Sequence, residues 1–251
     1  MSDGAASKGG DPRLDPEAVR RRFRSVQGYK DIDQWHRFTA DRIRREVRLL
    51  WERLQITDDS VVLNAGAGNN DLGVCPPKTI HLDVSASGIE LLPNGIVGNV
   101  ESLPLKQHAV DLILCVGSVI NYCDAAAAIS EFSRVLRPGH YLILEFDSSL
   151  SAELLRQPAF GRSAVTAETF YRNRPEVIWV YTPRYIRNLL AAAGLRILRR
   201  RAIHIVSPWA LLLTNSARLA THLGHLDLIL RHVPFVSRWA SNHLLFCQKD
   251  A

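Results

Sequence analysis

The sequence predicts an α/β fold built on a parallel sheet, and three observations carry that expectation. Apolar runs of five to seven residues recur through the middle of the chain: VVLNA (61–65), TIHLDV (79–84), GIVGNV (95–100), VDLILCV (110–116) and YLILEF (141–146). They are separated by turn residues or helical stretches, as in a sheet whose strands are joined by crossovers. The clearest crossover runs from Asp124, a residue suited to cap a helix N-terminus, to Leu136, and Pro138-Gly139 stops it before the next strand. Finally, 251 residues with 47% hydrophobic content suffice for one large core and not for two full domains.

Taken in order, residues 1–14 are small, polar and glycine-rich and are expected to be disordered, leaving one domain over 15–251. Residues 15–55 are expected to supply N-terminal helices, because Trp35, Phe38, Ile43, Val47, Leu50, Trp51 and Leu54 recur at helical spacing among charges. After the five strands, residues 148–180 form an insertion rich in aromatics (Phe160, Phe170, Tyr171, Trp179), followed by a helix opened by Thr182-Pro183. Residues 207–240 carry Trp209, Leu211 to Leu213, Leu219, Leu223, Leu226, Ile229 and Leu230, and are expected to form a helical C-terminal insertion. Both insertions are expected to act as caps.

The net charge of +6 is concentrated between Val177 and Lys249, where nine arginines and one lysine face a single acid, Asp227. Arginine stems lying over apolar surface account for such a segment; so does peripheral contact with an anionic membrane. Nucleic acid is disfavoured, because Arg199, Arg200 and Arg201 are not interleaved with aromatics. Cys75, Cys115, Cys123 and Cys247 fall at no zinc-like spacing, so neither a metal site nor a disulfide framework is expected. No signal peptide or membrane-spanning run is legible, and a cytoplasmic location is expected.

In open α/β sheets the ligand sits beyond the carboxyl ends of the strands, so the loops after Ala65, Val84, Val100 and Val116 should converge on one crevice. The stretch VVLNAGAGNND (61–71) runs a strand into a glycine turn. Gly66 and Gly68 let the backbone approach a ligand, and Asn70 tolerates a left-handed conformation. Asp83, ending the second strand, is placed to accept hydrogen bonds from two ribose hydroxyls. A dinucleotide site is the rival and is disfavoured: its third glycine would fall on Asp71, and NNDLGVCPPK (69–78) is too short and Pro-rich for the helix that holds a pyrophosphate.

These stretches, with HLDVS, GNVESLPL, VDLILCVGSVINYCD and AISEFSRVLRPGHYLILEF, resemble in order and spacing the class I S-adenosylmethionine-dependent methyltransferases of the broad small-molecule type, from about Val61 to Phe146. The resemblance implies a Rossmann-like, seven-stranded, mostly parallel sheet with helices on both faces, ending in an antiparallel hairpin at about 196–206 and 243–249. It implies S-adenosylmethionine as cofactor, held by Asn64, Gly66, Gly68, Asp83, Asn99, Val100 and Gly117. Three departures stand out: Asn64 replaces the usual acid of the first motif, Asn70 its last glycine, and Asn99 an aspartate at the adenine amine.

Methyl transfer is an in-line displacement that positioning accelerates, and a base helps where the acceptor is a hydroxyl or acidic carbon. Tyr122, Asp124 and Asp147 are the candidates, with Tyr122 and Asp147 preferred and Asp124 read as a helix cap. His81 and His140, at strand starts opposite the crevice, are expected to be structural, and for His36 on the leading helix a place at the mouth of the site is only the secondary reading. The function expected is methyl transfer to a small, apolar acceptor. The alternatives are a non-catalytic cofactor-binding or interaction protein on the same fold, and an RNA methyltransferase.

Overall fold

Seven strands make one sheet in the computed structural model, which describes residues 19, 34–54, 56–70, 72–171, 174–214 and 216–251. The expected tail 1–14, Asp71 and the side chains of Trp35 and His36 lie outside the described residues. Strands β1 (Val62–Ala65), β2 (Ile80–Asp83), β3 (Gly95–Val97), β4 (Val110–Cys115) and β5 (Leu136–Asp147) are parallel. β6 (Ala164–Tyr171) and β7 (Arg174–Tyr181) form a separate antiparallel hairpin within the 148–180 insertion. β8 (Leu195–Ile203) and β9 (Asn242–Lys249) complete the sheet, with β9 antiparallel to both β5 and β8. The order is β3-β2-β1-β4-β5-β9-β8. It reverses between β1 and β4, and the loops leaving those two strands therefore part and leave a crevice at the carboxyl end.

Helices cover both faces. α1 (Gln34–Trp51) buries Ile43, Val47 and Leu50 against one face, with Leu112, Leu114, Ile143 and Leu244. The short α2 (Ala86–Ile89) follows β2. α3 (Ala125–Val135) presents Ala125, Ala128, Ile129, Phe132 and Val135 to the other face, a helical stripe whose N-terminus is capped by Asp124, which accepts from Ala126 N and Ala127 N. α4 (Pro183–Ala192), opened by the Thr182 cap with proline in its first turn, adds Ile186 and Leu190 to the same side. Each such large apolar side chain taken fully out of water contributes about 1.5–3 kcal/mol. The C-terminal insertion is helical as expected: α5 (Ser207–Thr214), α6 (Ala217–Leu223), α7 (Asp227–Leu230) and α8 (Pro234–Ser237). It occupies the crevice end of the sheet, because it joins the end of β8 to the start of β9.

Three boundaries differ from the sequence reading. β5 starts at Leu136, because a register shift between Val110 and Leu112 lets the Pro138-Gly139 kink stay within the strand, with Gly139 at φ +76°. β3 ends at Val97, because Gly98 N turns to Asp83 O and residues 99–102 close a separate turn. The 148–180 insertion is a short helical turn, Ala152–Leu154, and a β-hairpin around its own apolar cluster of Leu154, Ala159, Ala167, Ile178 and Val180.

Candidate functional site

The glycine turn is held in shape by three sets of hydrogen bonds. Gly66 N and Ala67 N both donate to Leu82 O, at 2.7 and 3.0 Å, which folds the turn over the end of β2. Gly68 N donates to Asp83 Oδ2 at 2.8 Å, and Ser85 N to Asp83 Oδ1 at 2.8 Å, so the backbone aims this carboxylate. Burial raises the Asp83 pKa, and the N–H groups of Ser85, Gly68 and Val84 oppose the rise. Beneath the turn, the buried Asn64 amide donates to Asn70 O at 2.8 Å and stands 3.1 Å from His81 Nδ1.

The glycines serve different ends. A Cβ on Gly66 would lie 2.2 Å from Val119 Cγ2, so its missing side chain makes room for the loop after β4 rather than for a ligand. A Cβ on Gly68 would meet nothing within 4 Å: here the space is open, at φ +54°. Gly88 of α2, which the sequence reading missed, packs its Cα face against the Gly68 carbonyl carbon, where a Cβ would come to 2.6 Å. The open space over Gly68, beside the aimed Asp83 carboxylate, fits the ribose side of the cofactor.

The other wall is the turn after β4. Gly117, at φ +88°, and Ser118, at φ +60°, both point their N–H groups at the buried Glu145 Oε2. Asn242 Nδ2 donates to Glu145 Oε1 at 2.8 Å and also to Asp147 Oδ1, while Ser118 Oγ donates to Asp147 Oδ1 at 3.1 Å. Burial, with the adjacent Glu145 carboxylate, pushes the Asp147 carboxyl well above the usual carboxylate range. Burial also raises Glu145, against the N–H groups of Ser118 and Gly117 and the Asn242 amide. Asn121, fully buried, locks this corner to the hairpin: it donates to Trp179 O at 2.6 Å and accepts from Asp147 N at 3.0 Å. Between the two turns lies a small open cleft, lined by Ala40 and Ile43 of α1 and by Asn64, Gly66, Ala67, Val116 and Gly117.

The structure thus brings together Asn64, Gly66, Gly68, Asp83, Gly117 and Asp147. Asn99 is less direct. Its Nδ2 donates to Glu101 Oε2 and its Oδ1 accepts from Glu101 N, and Glu101 Oε1 in turn accepts from Asp124 N. Asn99 therefore shapes its turn, and the adjoining Val100 is buried in the core. Tyr122 packs with the hairpin cluster as a wall, and Asp124 is the expected cap. His140 pairs with Asp111 at 3.2 Å, a structural position. His81 is also structural but does not sit away from the crevice; it touches Asn64, which lines it. Glu145, Asn121 and Asn242 were missed: inside β5, in a helical turn and at the start of β9, their sequence context gives no sign that they converge. Among the described residues, no group of three or more His, Cys, Asp or Glu stands where it would hold a metal ion, and Cys115, Cys123 and Cys247 are buried free thiols.

A sheet of this order, with a glycine turn aimed at an acid ending β2, defines the class I methyltransferase architecture. Residues 66–144 match the family described as a methyltransferase domain. The chain is 30% identical, over 197 residues, to the ubiquinone/menaquinone biosynthesis C-methyltransferase UbiE of a Marinomonas species, an alignment covering 64% of this chain and 76% of that one. Its fold is shared with a 1,6-didemethyltoxoflavin-N1-methyltransferase from Burkholderia thailandensis, solved with 1,6-didemethyltoxoflavin and S-adenosylhomocysteine (TM-score 0.58, 15% identity, 96% of this chain and 93% of that one). It is shared equally with a geranyl diphosphate C-methyltransferase from Streptomyces coelicolor (TM-score 0.57, 15% identity, 93% and 98%). The chain belongs to the class I S-adenosylmethionine-dependent methyltransferases.

Proposed function

We propose that this methyltransferase acts on a small acceptor with an apolar body, bound between α1, the β6–β7 hairpin and the C-terminal helices. The observation that carries the reading is the cleft itself: the glycine turn at Gly66 and Ala67 forms one side, Gly117 the other, and the apolar Ala40, Ile43 and Val116 line it, while the same glycine turn continues to Gly68, which holds Asp83. Ser118 Oγ leads from that second wall to Asp147. S-adenosylmethionine supplies an electrophilic methyl group. Asp83, Gly68, Asn64 and Gly117 would hold and orient it, with Gly66 giving the turn its shape by leaving room for Val119. Ala40 and Ile43 give the cleft an apolar wall on the α1 side, against which an acceptor would be held close and in line. The raised pKa of Asp147, caused by burial and by Glu145, means that its carboxylate, once ionised, is a stronger base than an ordinary aspartate's, suited to an acceptor hydroxyl or acidic carbon. Asn242 and Ser118 fix that carboxylate in place, and Glu145 keeps the Gly117-Ser118 turn closed beneath it.

The named relatives act on a quinone precursor pathway, on geranyl diphosphate and on 1,6-didemethyltoxoflavin, and small acceptors of this kind support the same reading here. The test is calorimetric titration with S-adenosylhomocysteine, followed by radiolabelled methyl transfer to prenylated phenols, heteroaromatic amines and transfer RNA. Turnover on a small acceptor that falls at least tenfold in Asp147→Asn with cofactor affinity unchanged is the expected result. Turnover on RNA alone would overturn the acceptor class, and cofactor binding without any turnover would favour a binding protein.

A further inference from the structure

The C-terminal insertion packs the wrong way round for a helix that ends at water. From Ala217 to Arg231 the backbone is right-handed helix throughout, α6 passing through a tighter turn at Gly224–Leu226 into α7. Its inward face mixes small and polar residues with Leu230, which packs on Ala202, Ile205 and Ala240: Ala220 and Asp227 are fully buried, and Gly224 lies so close to Phe38 of α1 that a Cβ would come within 2.7 Å of the ring. Arg42 of α1 donates to Gly224 O at 3.2 Å. Asp227 accepts from Val206 N and Ser207 Oγ. The outward face, at positions 219, 222, 226 and 229, is Leu219, His222, Leu226 and Ile229, with Ile229 70% exposed. Leu213 at the end of α5 is 78% exposed and Phe235 of α8 is 66% exposed.

Large apolar side chains scattered singly on a surface need no explanation, but this insertion gathers more than half of the exposed ones found among the described residues. Charge accompanies them with one sign. Between residues 205 and 241 the only acid is Asp227, which is buried, whereas Arg218 and Arg238 are exposed. Arg238 lies over the Phe235 ring at 4.2 Å and the Trp239 ring at 4.9 Å, a cation held beside the apolar surface. The triplet Arg199 to Arg201 is not part of it: Arg200 donates to His243 and Ser237 O, and Arg201 pairs with Glu46.

We propose that the face formed by Leu213, Leu219, Leu226, Ile229 and Phe235, rimmed by Arg218 and Arg238, docks on the surface of an anionic lipid bilayer. Short helices with an outward apolar stripe and flanking cations suit insertion at the level of the headgroups. A second copy of the chain fits badly, because a twofold contact would set two acid-free basic rims against each other. Among the described residues no helix is long and apolar enough to cross a membrane, so the contact is peripheral. The docked helix packs its other side on α1, whose Ala40 and Ile43 line the cleft, so lipid would lie about 10 Å, one helix layer, from the site wall.

The experiment is co-sedimentation of the full chain with vesicles of phosphatidylcholine alone and of phosphatidylcholine with phosphatidylglycerol, without acceptor or cofactor, so that its outcome is separate from that of the acceptor assay. Binding is expected to the anionic vesicles and to weaken with salt. Ile229→Glu and Phe235→Glu should each lower the partition at least tenfold, and Arg218→Gln and Arg238→Gln about fivefold each. Unchanged far-ultraviolet circular dichroism and unfolding temperature will show that these exposed substitutions leave the fold intact. No sedimentation with anionic vesicles at low salt would overturn the proposal. A dimer in light scattering that Ile229→Glu converts to monomer, without lipid binding, would assign the face to a second copy and overturn it equally.

Discussion

Replacing Asp83 by asparagine keeps the shape of the side chain and removes its charge, and the surrounding bonds make the outcome calculable. Both carboxylate oxygens accept a backbone N–H, from Gly68 and from Ser85. An amide turned either way sets its own NH₂ against one of them. The raised pKa shows that desolvation of the charge outweighs those bonds in the free protein, so losing both together should change the unfolding temperature by no more than a few degrees. Cofactor binding is different, because the ribose hydroxyls would lose a charged acceptor. One such bond is worth about 1.5–3 kcal/mol, or roughly a 10- to 150-fold rise in Kd. Titration calorimetry with S-adenosylhomocysteine reads it directly. The wild-type affinity should also decline as pH falls through the raised carboxyl pKa, while the variant stays flat. A Kd within twofold of wild type would refute the assignment of Asp83 to the cofactor.

The two turn glycines should separate packing from binding. Gly66→Ala drives a Cβ into Val119 and should destabilise by about 1–3 kcal/mol in urea unfolding, whereas Gly68→Ala should spare stability more and cut cofactor affinity. Glu46, nearly buried, accepts Arg231 and pairs with Arg201, so Glu46→Ala should cost about 3 kcal/mol, measured by the same denaturation. Asp147 has a folded-state pKa above its unfolded one, so its contribution to stability is present below the ordinary carboxylate value and is lost as pH rises through the elevated one. Relative to Asp147→Asn, the wild type should therefore lose unfolding temperature across that window and hold a constant deficit above it; a difference independent of pH would contradict the burial of this carboxylate. Asn64→Asp should lower the unfolding temperature at pH 7, because it sets a carboxylate against the Asn70 carbonyl, and an unchanged value would show that the amide is not what holds the turn.

The sheet was legible because parallel strands buried on both faces read as unbroken apolar runs, and VDLILC is buried at every position. The capping of α3 by Asp124 and of α4 by Thr182 was legible for a local reason, since donor and acceptor lie within a few residues. Asp83 was legible because it ends a strand in a fold whose ligands gather there. What escaped depends on contacts far apart in sequence. Glu145 lies 97 residues from Asn242, and Asn121 lies 58 from Trp179. The β6–β7 hairpin escaped too, since its alternation is blurred by Glu168 and Glu176 and its apolar face closes on residues of the preceding helical turn.

The departures at the first motif read differently once the contacts are known. Among the described residues between β1 and β2 no helix follows the glycine turn to offer Asn70 O a helical N–H. The Asn64 amide supplies the donor, and its position beside His81 Nδ1 gives that buried ring a partner as well. A carboxylate at the same place has no proton to give and would face a carbonyl oxygen across less than 3 Å. Loss of the crossover helix and replacement of the acid by asparagine are therefore one structural change rather than two defects. The turn keeps the conformation that leaves the space over Gly68 open, and the charge that remains at this end of the cleft is the one that the backbone itself aims, Asp83.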